Sequence, residues 1–125
     1  EINLKINGYI NKKTKYAEKE LKSENLNVIT IGSGDKVINQ YPKKGTNVLS
    51  YDKVFLITND SEIKLPNFVG YSKKEAENLL NLLNIRYNIN GNGYVVSQDI
   101  EAGILVTNDL TIKLELQDKY NLDTN

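Results

Sequence analysis

Three serine–lysine tetrads are the residues of this sequence whose types and spacing could support covalent chemistry. They are Ser33–Lys36, Ser50–Lys53 and Ser61–Lys64. A serine acyl-enzyme needs its serine at a helix start, so that a lysine one turn later can take the hydroxyl proton. Here the first serine lies in a glycine turn, the second precedes a strand and the third lies in a polar linker. We therefore predict that the tetrads are non-catalytic and arise by chance in a lysine-rich chain.

The composition removes other kinds of site. The 125 residues include 0 Cys and 0 His, which excludes thiolate nucleophiles, cysteine-based metal centres and the most common general base. Glu18 with Glu20 and Glu75 with Glu77 are acidic pairs, but residues two apart on a helix do not face each other. We expect no catalytic residue, no metal site and no cofactor.

Charge and hydropathy limit the possible partners. The longest apolar run, Val54–Ile57, has four residues, so no membrane span is predicted. Residues 1–59 carry ten lysines against six acidic residues, and residues 60–125 carry ten acidic residues against five lysines and one arginine. This asymmetry reflects either two solvated surfaces or two halves that pack with complementary fields. Basic and aromatic residues do not interleave as on a nucleic-acid surface, so we expect no nucleic-acid partner.

The chain repeats itself once, with a period of 58 to 59 residues. The matched residues of the first copy are Ala17, Leu21, Leu26, Gly32, Gly34, Val37, Gln40, Gly45, Val48, Val54 and Leu56. The offset is 59 through Val37, which pairs with Val96, and 58 at Gly45, which pairs with Gly103. The pattern predicts two copies of one fold, with one extra residue in the first copy between Val37 and Gln40.

Each copy is predicted to contain an extended leading segment, one helix and three strands, an α+β arrangement. In the second copy, Ser72 and Glu75 form a capping box before a helix with apolar residues at helical spacing. Alternating apolar residues then predict strands that are separated by Asn-Gly and Ala-Gly turns. In the first copy Lys13 stands in the cap position, so its helix is expected to lack an N-cap. The predicted boundaries are 1–59, 60–117 and a flexible tail, 118–125.

Tyr71, Tyr94 and Arg86 are the candidate ligand-binding residues. Tyr71 lies beside the helix cap and Tyr94 beside the glycine turn, where their rings can remain exposed. Arg86 is the only arginine, and its guanidinium can form two parallel hydrogen bonds with a carboxylate. These three residues are predicted to contact a ligand weakly, because no deep apolar pocket is indicated.

The second copy resembles a PASTA domain. The residues that carry the resemblance are Leu65–Ser72, Ala76, Leu80, the Gly91-x-Gly93 turn, Val95–Gln98 and Gly103. The first copy resembles a diverged PASTA repeat through Ile31–Gly34, Gln40, Pro42 and Gly45. The pair is similar to the C-terminal tandem of a Gram-positive class B penicillin-binding protein of division or sporulation. Asn7, Asn11 and Tyr71 stand where the family has Pro, Gly and Trp.

The resemblance implies two tandem repeats, each with one helix packed on a three-stranded sheet. It also implies a non-catalytic module on the outer face of the cell, anchored through its parent protein and not itself inserted in the membrane. The implied partner is peptidoglycan, a muropeptide or the parent transpeptidase domain, which the module would help to position at the septum. The alternatives are a muropeptide-sensing fragment of a PASTA serine/threonine kinase and a structural clamp without a ligand.

Overall fold

A computed structural model describes residues 3–118, and the chain divides into two compact units. Residues 1–63 form the first unit and residues 64–125 the second, which we call the first and second repeats. The predicted tail lies outside the described residues, except for Asp118. Within the described part of the chain, neither helix is long and apolar enough to cross a bilayer.

The first repeat contains one helix, a three-stranded sheet and a two-stranded sheet. Its elements are β1 (Asn3–Lys5), α1 (Thr14–Ser23), β2 (Asn27–Ile31), β3 (Val37–Tyr41), β4 (Asn47–Leu49) and β5 (Lys53–Thr58). The strand order is β2-β5-β3, with β5 parallel to β2 and antiparallel to β3. The antiparallel pair of β1 and β4 was not predicted, because strands of three residues are too short to show alternation.

The second repeat has the same layout without the small sheet. Its elements are α2 (Lys73–Leu82), β6 (Arg86–Asn90), β7 (Tyr94–Gln98) and β8 (Thr111–Gln117), with the strand order β6-β8-β7. A single bridge between Lys64 and Leu105 replaces the pairing of β1 with β4. The predicted α+β fold of two repeats, each with a helix on a three-stranded sheet, is therefore confirmed.

The apolar stripe of each helix packs on the central strand of its sheet. In the first repeat Ala17 and Leu21 belong to one buried cluster with Val54 and Leu56. At the matching positions of the second repeat, all four side chains are fully buried, namely Ala76, Leu80, Ile112 and Leu114. Residues of β8 alternate between exposed and buried, as expected for a strand that buries one face.

The extra residue of the first repeat lies in the turn before β3. The Asn11 N–H donates to the Val37 carbonyl at 2.7 Å, and the Gly70 N–H donates to the Val95 carbonyl at 2.9 Å. Val37 therefore matches Val95, and its predicted match to Val96 is wrong. Both strands have a bulge directly after this valine. Because Val95 and Val96 are identical, sequence alone could not place the slip.

The two helices begin differently, as the sequence predicts. The Glu75 N–H donates to Ser72 Oγ at 3.2 Å, and the Ser72 N–H donates to Glu75 Oε1 at 2.9 Å, which completes a capping box. Lys13 precedes α1 without a side-chain cap hydrogen bond. The backbone of Lys13 is nevertheless extended, with φ −65° and ψ 135°, close to the −66° and 162° of Ser72.

Lys13→Ser is expected to raise the free energy of unfolding of the first repeat by about 0.5–1 kcal/mol. The backbone is already in cap geometry, so the new hydroxyl can accept the Tyr16 N–H without rearrangement. Urea denaturation followed by circular dichroism measures the gain. Lys12→Ser is the matched control, since it removes the same charge one residue too early to cap. An equal gain in both variants would assign the effect to charge and contradict the capping argument.

Candidate functional site

The structure places two of the three candidate residues side by side. Ser72 and Tyr94 form an antiparallel bridge, and the Val95 N–H donates to the Tyr71 carbonyl at 2.9 Å. The backbones of Tyr71 and Tyr94 therefore meet where the segment before α2 crosses the start of β7. We call this pair the tyrosine corner of the second repeat.

Tyr71 is partly a core residue. Its ring lies 5.9 Å from the Phe68 ring at an angle of 78°, which is an edge-to-face contact. Burial, followed by the charge of Glu75, raises the pKa of the Tyr71 phenol. The Tyr71 ring is therefore held in a fixed orientation, and it can offer only part of its surface to a ligand.

Arg86 lies at the other end of the sheet. On β8, Arg86 pairs with Thr111 and Tyr94 pairs with Gln117. Gln117 lies six positions after Thr111, which is about 20 Å along an extended strand. The pKa of Asp109 is lowered, mainly by the Thr107 hydroxyl and also by the charge of Arg86. Arg86 and the tyrosine corner thus do not form one continuous site.

A groove in the first repeat was missed by sequence reasoning. It has a volume of about 360 Å³ and lies between the start of α1 and the turn after β2. Its lining residues are Lys13, Thr14, Lys15, Glu18, Thr30, Gly32, Ser33, Gly34 and Asp35. Gly32 and Gly34 predict a turn, but no local sequence pattern places the start of the helix against that turn.

The Asp60 carboxylate stabilises this turn by accepting hydrogen bonds from it. One carboxylate oxygen accepts the Ser33 N–H at 2.9 Å and the Ser33 hydroxyl at 3.2 Å. The other accepts the Gly34 N–H at 2.8 Å and the hydroxyl of the buried Thr58. These hydrogen bonds, led by the one from Thr58, lower the pKa of Asp60 from 3.8 to about 2. Ser33 is thus occupied as a structural donor.

The first repeat is expected to lose stability as the pH falls from about 4 to about 2. Because the pKa of Asp60 is lower in the folded state, its stabilising contribution is complete above the unfolded value of 3.8 and disappears as the carboxylate is protonated. Carboxyl carbon NMR titration measures this pKa directly. Glu20 also has a lowered pKa. Comparison with Asp60→Asn isolates the contribution of Asp60, and an unchanged acid profile in that variant would refute the assignment.

The acidic pair of α1 is divided between different partners. Glu18 accepts a hydrogen bond from the Thr30 hydroxyl at 2.6 Å. Glu20 accepts one from the Tyr9 phenol at 2.6 Å and one from the Tyr16 phenol at 2.7 Å. The two carboxylates therefore do not act on a common centre, as their spacing predicts. Both carboxylates accept hydrogen bonds from neighbouring hydroxyl groups.

The serine–lysine tetrads do not have catalytic geometry in the described part of the chain. None of Ser33, Ser50 and Ser61 begins a helix, so no tetrad has the geometry of an acyl-enzyme. Within residues 3–118, no three His, Cys, Asp or Glu side chains are grouped as metal ligands would be. The first repeat instead offers an open groove to which polar and charged side chains contribute.

Solved structures are similar to this chain to different degrees. Penicillin-binding protein 2X from Streptococcus thermophilus matches 94% of the chain with a TM-score of 0.82 and 22% identity, and the match covers 17% of that protein. The three-PASTA-domain structure of a Ser/Thr kinase from Staphylococcus aureus matches 89% of the chain at 25% identity, with a TM-score of 0.39 and 64% of that chain covered. The extracellular region of the kinase PrkC, also from Staphylococcus aureus, matches 87% at 24% identity, with a TM-score of 0.36 and 45% covered.

The family comparison covers both repeats. The model of the PASTA domain matches residues 5–60 and again residues 63–118. The two matches include the helix and all three strands of the main sheet in each repeat. The chain belongs to the PASTA family, and it contains two PASTA domains in tandem.

Proposed function

We propose that the chain is the wall-binding module of a penicillin-binding protein. PASTA domains are non-catalytic, extracellular modules that bind peptidoglycan and muropeptides. In this proposal, weak binding to peptidoglycan, or docking on the parent transpeptidase domain, holds the parent enzyme in place during septal cross-linking. The observation that carries wall binding is the family match over both repeats.

The site geometry supports weak binding. Three open grooves have volumes of about 240 to 360 Å³, the one at the start of α1, one beside Tyr16 and one beside Asn92. Hydroxyl, amide and charged side chains contribute to their walls. Such surfaces suit a glycan or a stem peptide, which expose polar groups along their length. Affinity should be modest because these grooves are open and leave much of a bound ligand in contact with water.

The choice of parent depends on sequence resemblance. The order of a proline-poor copy followed by a copy with Pro66, Gly70 and Tyr71 is similar to the pair of a class B penicillin-binding protein. A penicillin-binding protein is also the source of the structure that shares the fold over 94% of the chain. A muropeptide-sensing kinase ectodomain is the second candidate, because a Ser/Thr kinase from Staphylococcus aureus also contains PASTA domains.

Co-sedimentation of the 125-residue chain with purified Gram-positive sacculi, at low and high salt, tests the proposal. Salt-resistant binding is expected. Tyr94→Ala is expected to weaken it about 5-fold or more if the tyrosine corner carries a principal contact. Tyr71→Phe and Arg86→Ala extend the test to the other two candidates without removing a core ring.

Tyr51→Ala is the matched control for the loss of a tyrosine. Tyr51 is 77% exposed and belongs to the first repeat, whereas the tyrosine corner belongs to the second. It should leave binding unchanged. Absence of binding at both salt concentrations would reject wall recognition, and the purified parent transpeptidase domain would then be the partner to test by direct titration.

A further inference from the structure

Five exposed lysines lie on α1 or on the bridge at its start, and we call them the lysine track: Lys13, Lys15, Lys19, Lys22 and Lys36. Lys15, Lys19 and Lys22 have i, i+4, i+7 spacing on α1, so they share one helix face over about 10 Å. Lys13 and Lys36 are partners in an antiparallel bridge, which places their side chains on one face at the start of the row.

Most carboxylates near the lysine track already accept hydrogen bonds from other side chains. Glu18 is bound by the Thr30 hydroxyl, and Glu20 is bound by two phenols. Asp35 lies beside the track and accepts a long hydrogen bond, 3.4 Å, from the Asn59 amide. Within residues 3–118, no lysine of the track forms an ion pair with a carboxylate. The five ammonium groups therefore keep their charge available to a partner.

The second repeat provides an internal comparison. Because the extra residue lies before β3, the lysine track aligns with Ser72, Lys74, Asn78, Asn81 and Tyr94. Only one of these five positions is basic. The track is thus a property of the first repeat and not a requirement of the shared fold, since the same backbone forms without it. It also accounts for much of the excess positive charge of residues 1–59.

The shape and chemistry of the track indicate an extended anionic partner. A single carboxylate would need only one or two of these lysines, whereas a row fits negative charges repeated along a chain. Lysine ammonium groups bind phosphate as point charges, without the fixed two-bond geometry of arginine. The groove of about 360 Å³, bordered by Lys13 and Lys15, lies at the start of the row and can seat one end of such a chain.

We propose that the lysine track binds an anionic phosphodiester polymer of the cell wall. This inference rests on the proposed function only for its wall location, and it assigns the first repeat a ligand different from the peptidoglycan bound at the tyrosine corner. The two repeats then contact two components of the same wall. Binding to the track is electrostatic and falls with added salt.

The test uses the full 125-residue chain and fluorescently labelled poly(glycerol phosphate), with anisotropy read over a series of salt concentrations. Lys19→Asn combined with Lys22→Asn introduces the residues of the second repeat. This double variant is expected to bind the polymer at least about 10-fold more weakly. The slope of log K against log salt should become shallower by about 0.7 for each lysine removed, as for single-stranded phosphodiester chains.

Lys5→Asn combined with Lys43→Asn is the matched control. Both residues are exposed in the first repeat and lie off the track, so this double variant loses the same net charge. It should keep most of the affinity. Asn78→Lys combined with Asn81→Lys places lysines at two track positions of the second repeat and is expected to strengthen binding. Equal losses in the track and control variants would overturn the proposal, as would tighter binding to phosphatidylglycerol vesicles than to the polymer.

Sacculi stripped of phosphodiester polymers separate this inference from the proposed function. Binding to stripped sacculi without binding to poly(glycerol phosphate) would reject the lysine track and retain peptidoglycan recognition. Binding to the polymer without binding to stripped sacculi would do the reverse. If both bind, the track variants should affect only the polymer, and the Tyr94→Ala variant should affect only the stripped sacculi.

Discussion

Gly93→Ala is expected to lower the free energy of unfolding of the second repeat by about 3–5 kcal/mol. Gly93 has φ +97°, a conformation that costs an L residue about 1–2 kcal/mol. An added Cβ would also lie 2.3 Å from the Gln117 carbonyl oxygen, a backbone atom at the end of β8. The strand would have to shift to relieve this contact. Urea denaturation followed by circular dichroism measures the loss.

Gly103→Ala separates backbone strain from the steric clash. Gly103 has φ +96°, almost the same as Gly93, but a Cβ there would meet nothing within 4 Å. Its loss should therefore be only about 1–2 kcal/mol. Native-state hydrogen exchange at Leu80 assigns both losses to the second repeat, because this fully buried helix residue exchanges only when the repeat opens. Equal costs for the two variants would show that the close approach to β8 has no energetic effect.

Gln40→Ala is expected to destabilise the first repeat by about 2–4 kcal/mol. The side chain is buried, and its oxygen accepts the Tyr9 N–H at 2.6 Å. Its nitrogen donates to the carbonyls of Asn7, at 3.0 Å, and Pro42, at 2.9 Å. The hydrogen bonds of Gln40 thus connect the segment before α1 to the end of β3. Truncation leaves a buried N–H without a partner and creates a cavity.

Gln98 makes the matching contacts in the second repeat. Its oxygen accepts the Phe68 N–H at 2.8 Å, and its nitrogen donates to the carbonyls of Pro66 and Ile100. Gln98→Ala should cost about 1–3 kcal/mol, less than Gln40→Ala, because Gln98 is only half-buried. Gln117→Ala, an exposed position on β8, should change stability by no more than about 0.5 kcal/mol. If Gln40→Ala lowered the free energy of unfolding no more than Gln117→Ala, a stabilising role for the Gln40 hydrogen bonds would be excluded.

Local features of the fold were predictable from the sequence. The capping box of Ser72 and Glu75 depends on residues three apart, and the buried stripe of each helix depends on residues four apart. The alternation in β8 follows from the period-2 geometry of a strand. The repeat itself indicated that both halves share these elements. Apart from the repeat, each of these signals lies within a few residues of the element it specifies.

The candidate site was less predictable, because its parts come from distant positions. The sequence predicts Tyr71, Tyr94 and Arg86 as ligand-binding residues of one repeat. The pairing of β6 and β7 on opposite sides of β8 places Arg86 about 20 Å from Tyr94 along that strand. No local sequence pattern predicts the distance between these two residues.

Only the tertiary structure determines which polar groups that are distant in sequence form hydrogen bonds with one another. Asp60 binds the Gly32–Gly34 turn, and Gln40 binds the backbone before α1, across more than twenty residues in each case. Local propensity does not encode such contacts, since they form only after the sheet has brought the segments together. The lysine track likewise needs the bridge between Lys13 and Lys36. Buried polar groups must find partners wherever the fold places them, and this requirement acts at the level of the folded chain.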